Sequence, residues 1–160
     1  MSLGRRVIGM LVADHIVCDS FPCEEVIHER FSLSPLEIDA VSIRCVMVSE
    51  SPAADPADDF YAPSEPFFME TTLQAFANAG FPVSSMDDIL KLGVYITTAV
   101  KCAKIEYAVP TAAIKTCSRL LETELDLFPN LEVSVAMGDV AIRAIKENGR
   151  RKAGARVIRA

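Results

Sequence analysis

The residues of this chain that can do chemistry are carboxylates, hydroxyls and thiols rather than histidines. The two histidines, His15 and His28, both lie near the N-terminus and give a Ser-His-Asp triad little support. The sequence has no glycine-rich phosphate loop, dinucleotide fingerprint or Gly-x-Ser-x-Gly elbow. What remains is the polar segment Ser49-Glu50-Ser51-Pro52 and five cysteines. An odd number of cysteines in a chain of this size favours a reduced, cytoplasmic setting with thiols available for metal or for packing.

The polar segment follows a stretch, residues 41–48, that alternates at its start and is fully apolar at its end. This pattern is typical of a strand buried on both faces, as in a parallel sheet. Residues 49–66 are rich in Ser, Pro, Asp and Ala, which predicts a long loop. Loops of that length in a compact domain are usually functional or disordered.

The rest of the chain alternates between helical and strand patterns. The predicted elements are a helix over 67–79, a short helix from Ser84 or Ser85 to Lys91, a strand over 94–100, a long helix from Thr111, a strand over 131–137, a helix from Asp139 to about Asn148, and a last strand from Arg156. This order predicts an α/β fold, a three-layer α/β/α sandwich around a mostly parallel sheet, in a single domain over residues 1–160. Ligands bind such sheets at the carboxyl ends of strands, so the candidate site comprises the segments that begin at Ser49, Thr98 and Gly138.

Four motifs in this order resemble those of the uracil-DNA glycosylase superfamily, and most closely the thermophilic, family 4 type. Val48-Ser49-Glu50-Ser51-Pro52 resembles the Gly-Glu-Ala/Gly-Pro-Gly turn, and Glu65-Pro66-Phe67-Phe68 resembles Arg-Pro-Phe-Val. Residues 94–102 read Val-Tyr-Ile-Thr-Thr-Ala-Val-Lys-Cys, where the family has Val-Tyr-Ile-Thr-Asn-Val-Val-Lys-Cys. The helix from Cys117 and the following strand, which ends at Gly138, complete a match over roughly residues 42–144.

The resemblance implies a base-excising hydrolase that acts on DNA. It places Glu50 as the catalytic carboxylate that holds the water, with Ser51 beside it at the position where other branches have an Asp base. A carboxylate can orient water and stabilise an oxocarbenium-like sugar. Phe67 would stack on the flipped base, which has lost its neighbours in the helix. Ser49, Pro52, Thr98 and Gly138 would line the substrate site.

Three differences from the family pattern bear on activity. Thr98 replaces the Asn that reads the edge of uracil, and a hydroxyl cannot match the paired donor and acceptor of an amide. Ser49 replaces the first glycine of the turn, which limits how closely the backbone can approach a ligand. The family's His-Pro-Ser loop, whose His assists departure of the base, is absent, so we expect this loop and the last strand beyond its start at Arg156 to be missing from the domain.

The resemblance also implies a [4Fe-4S] cluster held by four cysteines. Cys102 and Cys117 match the last two ligands, and Cys18 and Cys23 would be the first pair, although their spacing is wider than in the family. The alternative for Cys117 is a buried thiol on the apolar stripe of its helix. Cys45, in the middle of a predicted strand, is expected to be a small core residue.

Charge and hydropathy limit the classes of partner that this protein is expected to bind. The net charge of −6 argues against a generic DNA-coating protein. Residues 141–160 nevertheless hold seven basic residues and one acidic residue, which is either a local phosphate contact or a solvated helix face. No apolar stretch approaches the roughly 18 residues needed to span a bilayer, so we expect no membrane partner.

Three functions follow as hypotheses. The first is a glycosylase that flips a base and cleaves its N-glycosidic bond. The second is a non-catalytic or nucleotide-binding relative with the same sheet, in which the helix start at Gly138 faces an anion. The third is a thiol or metal regulatory protein that uses Cys18 and Cys23.

Overall fold

The computed structural model describes residues 9–152 and 158–159, which form eight short strands and four α-helices. The strands are β1 Met10–Leu11, β2 Val26–Ile27, β3 Glu37–Ile38, β4 Cys45–Ser49, β5 Val94–Thr98, β6 Ala103–Lys104, β7 Val133–Ala136 and β8 Ile158–Arg159. The helices are α1 Phe67–Asn78, α2 Met86–Lys91, α3 Thr111–Leu125 and α4 Asp139–Arg151.

β4 lies inside a four-stranded parallel sheet with the order β5-β4-β7-β8. Cys45 is opposite Val94 on one side and Val133 on the other, so β4 is paired along both edges. The chain passes from β4 to β5 on one side of β4 and later to β7 on the other side. In open α/β sheets, a ligand cleft forms outside the carboxyl ends of the strands where the connections diverge in this way.

The side chains of β4 alternate between the two faces of the sheet. Val46 and Val48 pack in a core that includes the apolar stripes of α3 and α4, whereas Met47 packs against residues of α1 and α2. Helices therefore cover both faces of the sheet. The predicted α/β fold with a three-layer α/β/α arrangement and a parallel central sheet is confirmed.

The strands are shorter than predicted, and local hydrogen bonds explain why. The amide and the hydroxyl of Ser42 both donate to the carbonyl of Asp39, at 3.0 Å and 2.7 Å, which makes residues 39–42 a turn rather than the start of β4. β5 ends at Thr98 because the next two residues turn across the end of β4. The amides of Ala99 and Val100 donate there to the carbonyls of Ser49 and Glu50.

Gly93 fixes where β4 and β5 begin. Its φ of +82° is a conformation that side chains disfavour, and an added Cβ would lie 2.7 Å from the Ser42 carbonyl oxygen. The carbonyl of Gly93 accepts the amides of Arg44 and Cys45 at 2.9 Å and 3.1 Å. A glycine at this position thus brings the two strand starts together.

Some predicted features lie at or beyond the limits of the described residues. Part of the predicted last strand is present, because Ile158–Arg159 pairs in parallel with β7, but Arg156 lies outside the described residues. Within residues 9–152 and 158–159, no helix combines the length and the apolar character needed to cross a membrane.

Candidate functional site

A cavity of about 680 Å³ opens at the carboxyl ends of β4, β5 and β7. Ser49, Glu50, Ser51 and Pro52, which follow or end β4, line one wall, and Thr98 at the end of β5 lines the next. All five were predicted from the sequence as site residues, and the structure brings them together. Pro52 is buried, which anchors the turn against the protein.

Two other predicted site residues lie just outside this lining, and their neighbours take their place. Met137 lines the cavity, whereas Gly138 (φ +101°) turns the chain into α4. Phe68 lines the cavity together with Thr72, one helical turn further along the same face of α1. Phe67, at the first position of α1, is 72% exposed and is not among the lining residues.

Glu50 presents its carboxylate at the mouth of the cavity. Its side chain is 41% exposed and forms an ion pair with Lys104, which is 31% exposed. The carbonyl of Glu50 accepts the amide of Val100 at 3.0 Å, and the carbonyl of Ser49 accepts that of Ala99 at 2.9 Å. The backbone of the turn is thus fixed, while the carboxylate stays accessible to solvent and to a ligand.

Lys104 is held in place by the short strand β6. Ala103 and Lys104 pair with β2, and since side chains alternate along a strand, Ala103 is buried while Lys104 faces the cavity. The ammonium group also donates to the carbonyl of Tyr107 at 2.7 Å and lies 5.3 Å from the centre of the Tyr107 ring. Among the described lining residues it is the one cation, beside the carboxylates of Glu50, Asp58, Asp59 and Glu106.

A clamp between Arg30 and Asp59 shapes the loop after Pro52. The guanidinium bonds Asp59 at 2.7 Å and also donates to the carbonyls of Ala53 and Ala54, each at 3.1 Å. Asp59 in turn accepts the amide of Ala53 at 3.1 Å and the hydroxyl of Ser32 at 3.3 Å. These bonds close residues 53–59 into a compact wall for the cavity.

Aromatic side chains form another wall of the same cavity. Phe60 and Phe68 are tilted against each other with ring centres 6.3 Å apart. The hydroxyl of Tyr61 donates to the carbonyl of Ile96 at 2.5 Å, and burial raises the pKa of Tyr61, so this side chain is a neutral donor. A flat, apolar ligand with polar edges matches such a wall.

A second cavity, of about 240 Å³, is lined by all four cysteines that were predicted as cluster ligands: Cys18, Cys23, Cys102 and Cys117. Burial, followed by the neighbouring thiols, raises the pKa of Cys102 to about 12. Burial also raises the pKa of Cys117 to about 11. Cys45 is partly buried on β4 and is not among the described residues that line this cavity.

Residues 9–152 and 158–159 contain no group of three or more His, Cys, Asp or Glu side chains arranged around a single metal ion. An iron–sulfur cluster requires a different arrangement, in which four thiolates stand around a larger inorganic core. The four thiols line one shared cavity, as such an arrangement would require.

The basic segment near the C-terminus is largely engaged with acidic residues in α3, directly after α3 and in α4. Arg151 bonds Glu122 at 2.7 Å, Lys152 bonds Asp126, and Arg150 bonds Glu147 at 2.7 Å. These pairs favour the solvated helix face over a phosphate contact for the described part of this segment. Arg156 lies outside the described residues.

Comparison with known proteins agrees with this geometry. A family model described as "Uracil DNA glycosylase superfamily" matches residues 36–158, which include every wall of the larger cavity except the Ser32–Ser34 edge. The chain belongs to the uracil-DNA glycosylase superfamily. The resemblance inferred from the motifs is thereby confirmed at the level of the superfamily.

A curated relative is the type-5 uracil-DNA glycosylase of Thermus thermophilus, which is 39% identical over 59 residues. The match covers 37% of this chain and 27% of that protein, so the aligned part spans about a quarter of the relative's length. The motifs of this chain resemble the family 4 type, whereas this relative is of type 5. Both types are uracil-DNA glycosylases, so the two comparisons agree at the level of the superfamily.

Sequence reasoning missed Arg30, Tyr61 and Lys104, which all contribute to the larger cavity. Arg30 lies 29 residues from its partner Asp59, and Lys104 lies 54 residues from Glu50. No spacing rule links residues so far apart. The position of Lys104 two residues after the Lys-Cys motif was the one available signal.

Proposed function

We propose that this protein cleaves the N-glycosidic bond of a base flipped out of DNA into the larger cavity. The observation that carries the proposal is the partly exposed carboxylate of Glu50 at the carboxyl end of β4, which shares one cavity with Thr98 and with aromatic side chains. Membership of the superfamily supports the reaction class.

In the proposed reaction Glu50 orients a water molecule and accepts a proton from it. The oxygen of that water at the same time forms a bond to the anomeric carbon of the sugar. The bond between that carbon and the base nitrogen breaks, and its electron pair leaves with the base, which then takes up a proton. The negative charge of Glu50 stabilises the oxocarbenium-like sugar. The sequence placed Ser51 beside Glu50 as a second catalytic group, and its position in the lining supports a hydrogen bond to the same water.

The aromatic and polar walls would recognise the base. Phe68 takes the stacking role that the motif assigned to Phe67, because Phe68 lines the cavity. Thr98 offers one hydroxyl where relatives offer an amide, so we expect weaker selection of uracil than an amide would give.

The test is release of base from single-stranded and duplex oligonucleotides that carry uracil or another deaminated base. We expect release by the wild type and a loss of at least about 100-fold in Glu50→Gln, in line with the removal of a general base. Glu132→Gln is the matched control, since Glu132 pairs with Arg44 at the opposite end of β4. If the wild type releases none of these bases, the proposal fails.

A second candidate is a relative that binds a base or nucleotide without cleaving it. The ion pair of Glu50 with Lys104 favours it, because the ammonium group already engages one of the two carboxylate oxygens that would hold the water. Titration with uracil or deoxyuridine monophosphate, followed by NMR, separates the two candidates. Binding without release from any oligonucleotide would support the second.

We also propose that Cys18, Cys23, Cys102 and Cys117 hold a [4Fe-4S] cluster, which would tie the N-terminal segment to the loop after β5 and to α3. The cavity shared by the four thiols supports it. Iron and sulfide should be present after anaerobic purification and should be lost in Cys102→Ser but kept in Cys45→Ser. A colourless, iron-free wild type would contradict this.

We propose a reducing compartment such as the cytoplasm for this protein, because none of its five cysteines is in a disulfide.

A thiol-regulatory role based on Cys18 and Cys23 alone stays a prediction. Titration of thiols with and without a chelator distinguishes it from the cluster. A regulatory pair would leave Cys102 and Cys117 unaffected by the chelator.

A further inference from the structure

A fully buried ion pair lies behind the wall that Thr98 contributes to the larger cavity. Lys101 and Glu124 have no exposed side-chain surface, and the ammonium of Lys101 is bonded to one carboxylate oxygen of Glu124. The other oxygen accepts the hydroxyls of Tyr95 at 2.7 Å and Thr97 at 2.8 Å. Replacing a buried ion pair by apolar groups is often neutral or stabilising, so stability alone does not explain this pair.

The ammonium group of Lys101 also bonds the residues that shape the cavity. It donates to the carbonyl of Thr98 at 2.5 Å and to the hydroxyl oxygen of Thr97 at 2.9 Å. With the bond to Glu124, its three protons are all used. The side chain thereby closes the chain from Thr98 to Lys101 into a tight turn.

The same turn supports the candidate catalytic carboxylate. Inside it, the amides of Ala99 and Val100 donate to the carbonyls of Ser49 and Glu50. A shift of the turn would therefore move the backbone of Glu50 relative to Thr98. Lys101 itself is not among the residues that line the cavity, so any effect on a ligand must pass through its neighbours.

We propose that Lys101 is a positioning residue of the base site and that Glu124 is its buried counterion. The expected effect of Lys101 on the rate rests on the proposed function, because the role of Lys101 is to keep the carboxylate of Glu50 at a fixed distance from the base. Well-placed reacting groups are sensitive to displacements of about 1 Å, which can change a rate about 100-fold.

The test compares two double variants with the wild type. Lys101→Met with Glu124→Gln removes both buried charges with little change of volume, and the amide oxygen that it introduces can still accept the hydroxyl of Tyr95. Arg44→Met with Glu132→Gln does the same to an exposed pair at the opposite end of β4 and is the matched control.

Hydrogen exchange of single amides provides a readout that does not depend on activity. In the buried-pair variant we expect the amides of Ala99 and Val100 to exchange at least about 10-fold faster, while those of Val46 and Ile96 in the strands stay unchanged. We expect kcat for base release to fall by about 100-fold with KM within about threefold. The surface-pair variant should match the wild type in both readouts.

Unchanged exchange at Ala99 and Val100 would overturn the inference, and so would faster exchange with unchanged kcat. If the wild type releases no base, the proposed function fails, and the exchange measurement still decides whether Lys101 holds the turn. If the buried-pair variant does not fold, Lys101→Arg is measured instead. A planar guanidinium cannot keep all three bonds, so the same two amides should again exchange faster.

Discussion

The ammonium of Lys104 and the carboxylate of Glu50 meet at the mouth of the larger cavity, where three further carboxylates line the walls. Both side chains are partly exposed, and pairs of that kind contribute at most about 1 kcal/mol to stability. The cation therefore matters more for what approaches the cavity than for the fold. In the proposed function it would lower the repulsion that an acidic entrance exerts on a nucleic acid.

Lys104→Met should weaken binding of single-stranded DNA and reduce the salt dependence of binding. The slope of log K against log salt should fall by about 0.7, the amount expected when one phosphate of a single strand is no longer neutralised. Fluorescence anisotropy at several salt concentrations measures this slope. Lys91→Met, which removes a lysine paired with Asp87 on α2, should leave the slope unchanged. An equal slope in wild type and Lys104→Met would exclude a phosphate contact at Lys104.

Phe68→Ala should impair base release far more than Phe67→Ala. Loss of one stacked aromatic weakens binding of a base by about 1–3 kcal/mol, which corresponds to a drop in kcat/KM of roughly 5- to 150-fold. Phe67 and Phe68 are both exposed, at 72% and 60%, so neither change should greatly alter stability. Steady-state kinetics with a uracil-containing strand compare the pair. The opposite ranking would restore the stacking role to Phe67.

Gly93→Ala should destabilise the fold more than Gly80→Ala. Both glycines have positive φ values, +82° and +92°, so both variants carry the backbone penalty of about 1 kcal/mol. At Gly93 the new Cβ also meets the carbonyl oxygen of Ser42 at 2.7 Å, whereas at Gly80 nothing lies within 4 Å. Urea unfolding should show the difference in midpoint. Equal midpoints would mean that the starts of β4 and β5 accommodate the added Cβ without loss of stability.

Asp88 should make the stability of the protein fall in acid. Hydrogen bonds from the amide and hydroxyl of Ser84 lower the pKa of Asp88 from 3.8 to about 2. A carboxyl whose pKa is lower in the folded state stabilises the fold above pH 3.8, and this contribution is lost as the pH falls towards 2. Urea unfolding at several pH values from about 5 down to about 2 should show a smaller acid loss in Asp88→Asn. Ser84→Ala, which keeps the amide donor, should lie between the two. Three identical pH profiles would contradict this.

Local patterns predicted the helices and the order of the strands because each depends on neighbours in sequence. The stripe of α3 and the breaks at Gly80 and Pro129 are visible without a structure. The start of β4 was placed too early, since the bonds of Ser42 to Asp39 compete with pairing and leave no trace in hydropathy.

Much of the lining of the larger cavity was also predictable, because its turn follows the end of a buried strand. Which of Phe67 and Phe68 lines the cavity could not be predicted, because that depends on the angle at which α1 leaves Pro66. The ion pairs Lys101–Glu124 and Lys104–Glu50 could not be predicted from the sequence for another reason. Each joins residues brought together by the folded sheet, and charged side chains far apart in sequence give no sign of their partner.

The double pairing of β4 also limits how this protein can diverge. Five residue pairs align it with β5 and four with β7, so inserting or deleting one residue would break the register on both sides and exchange the two cores. Change within these paired strands is therefore largely confined to exchanging side chains at fixed positions. Thr98, where the motif that this chain resembles has Asn, is an exchange of that kind: it alters the chemistry of the side chain and leaves the pairing of β4 with β5 intact.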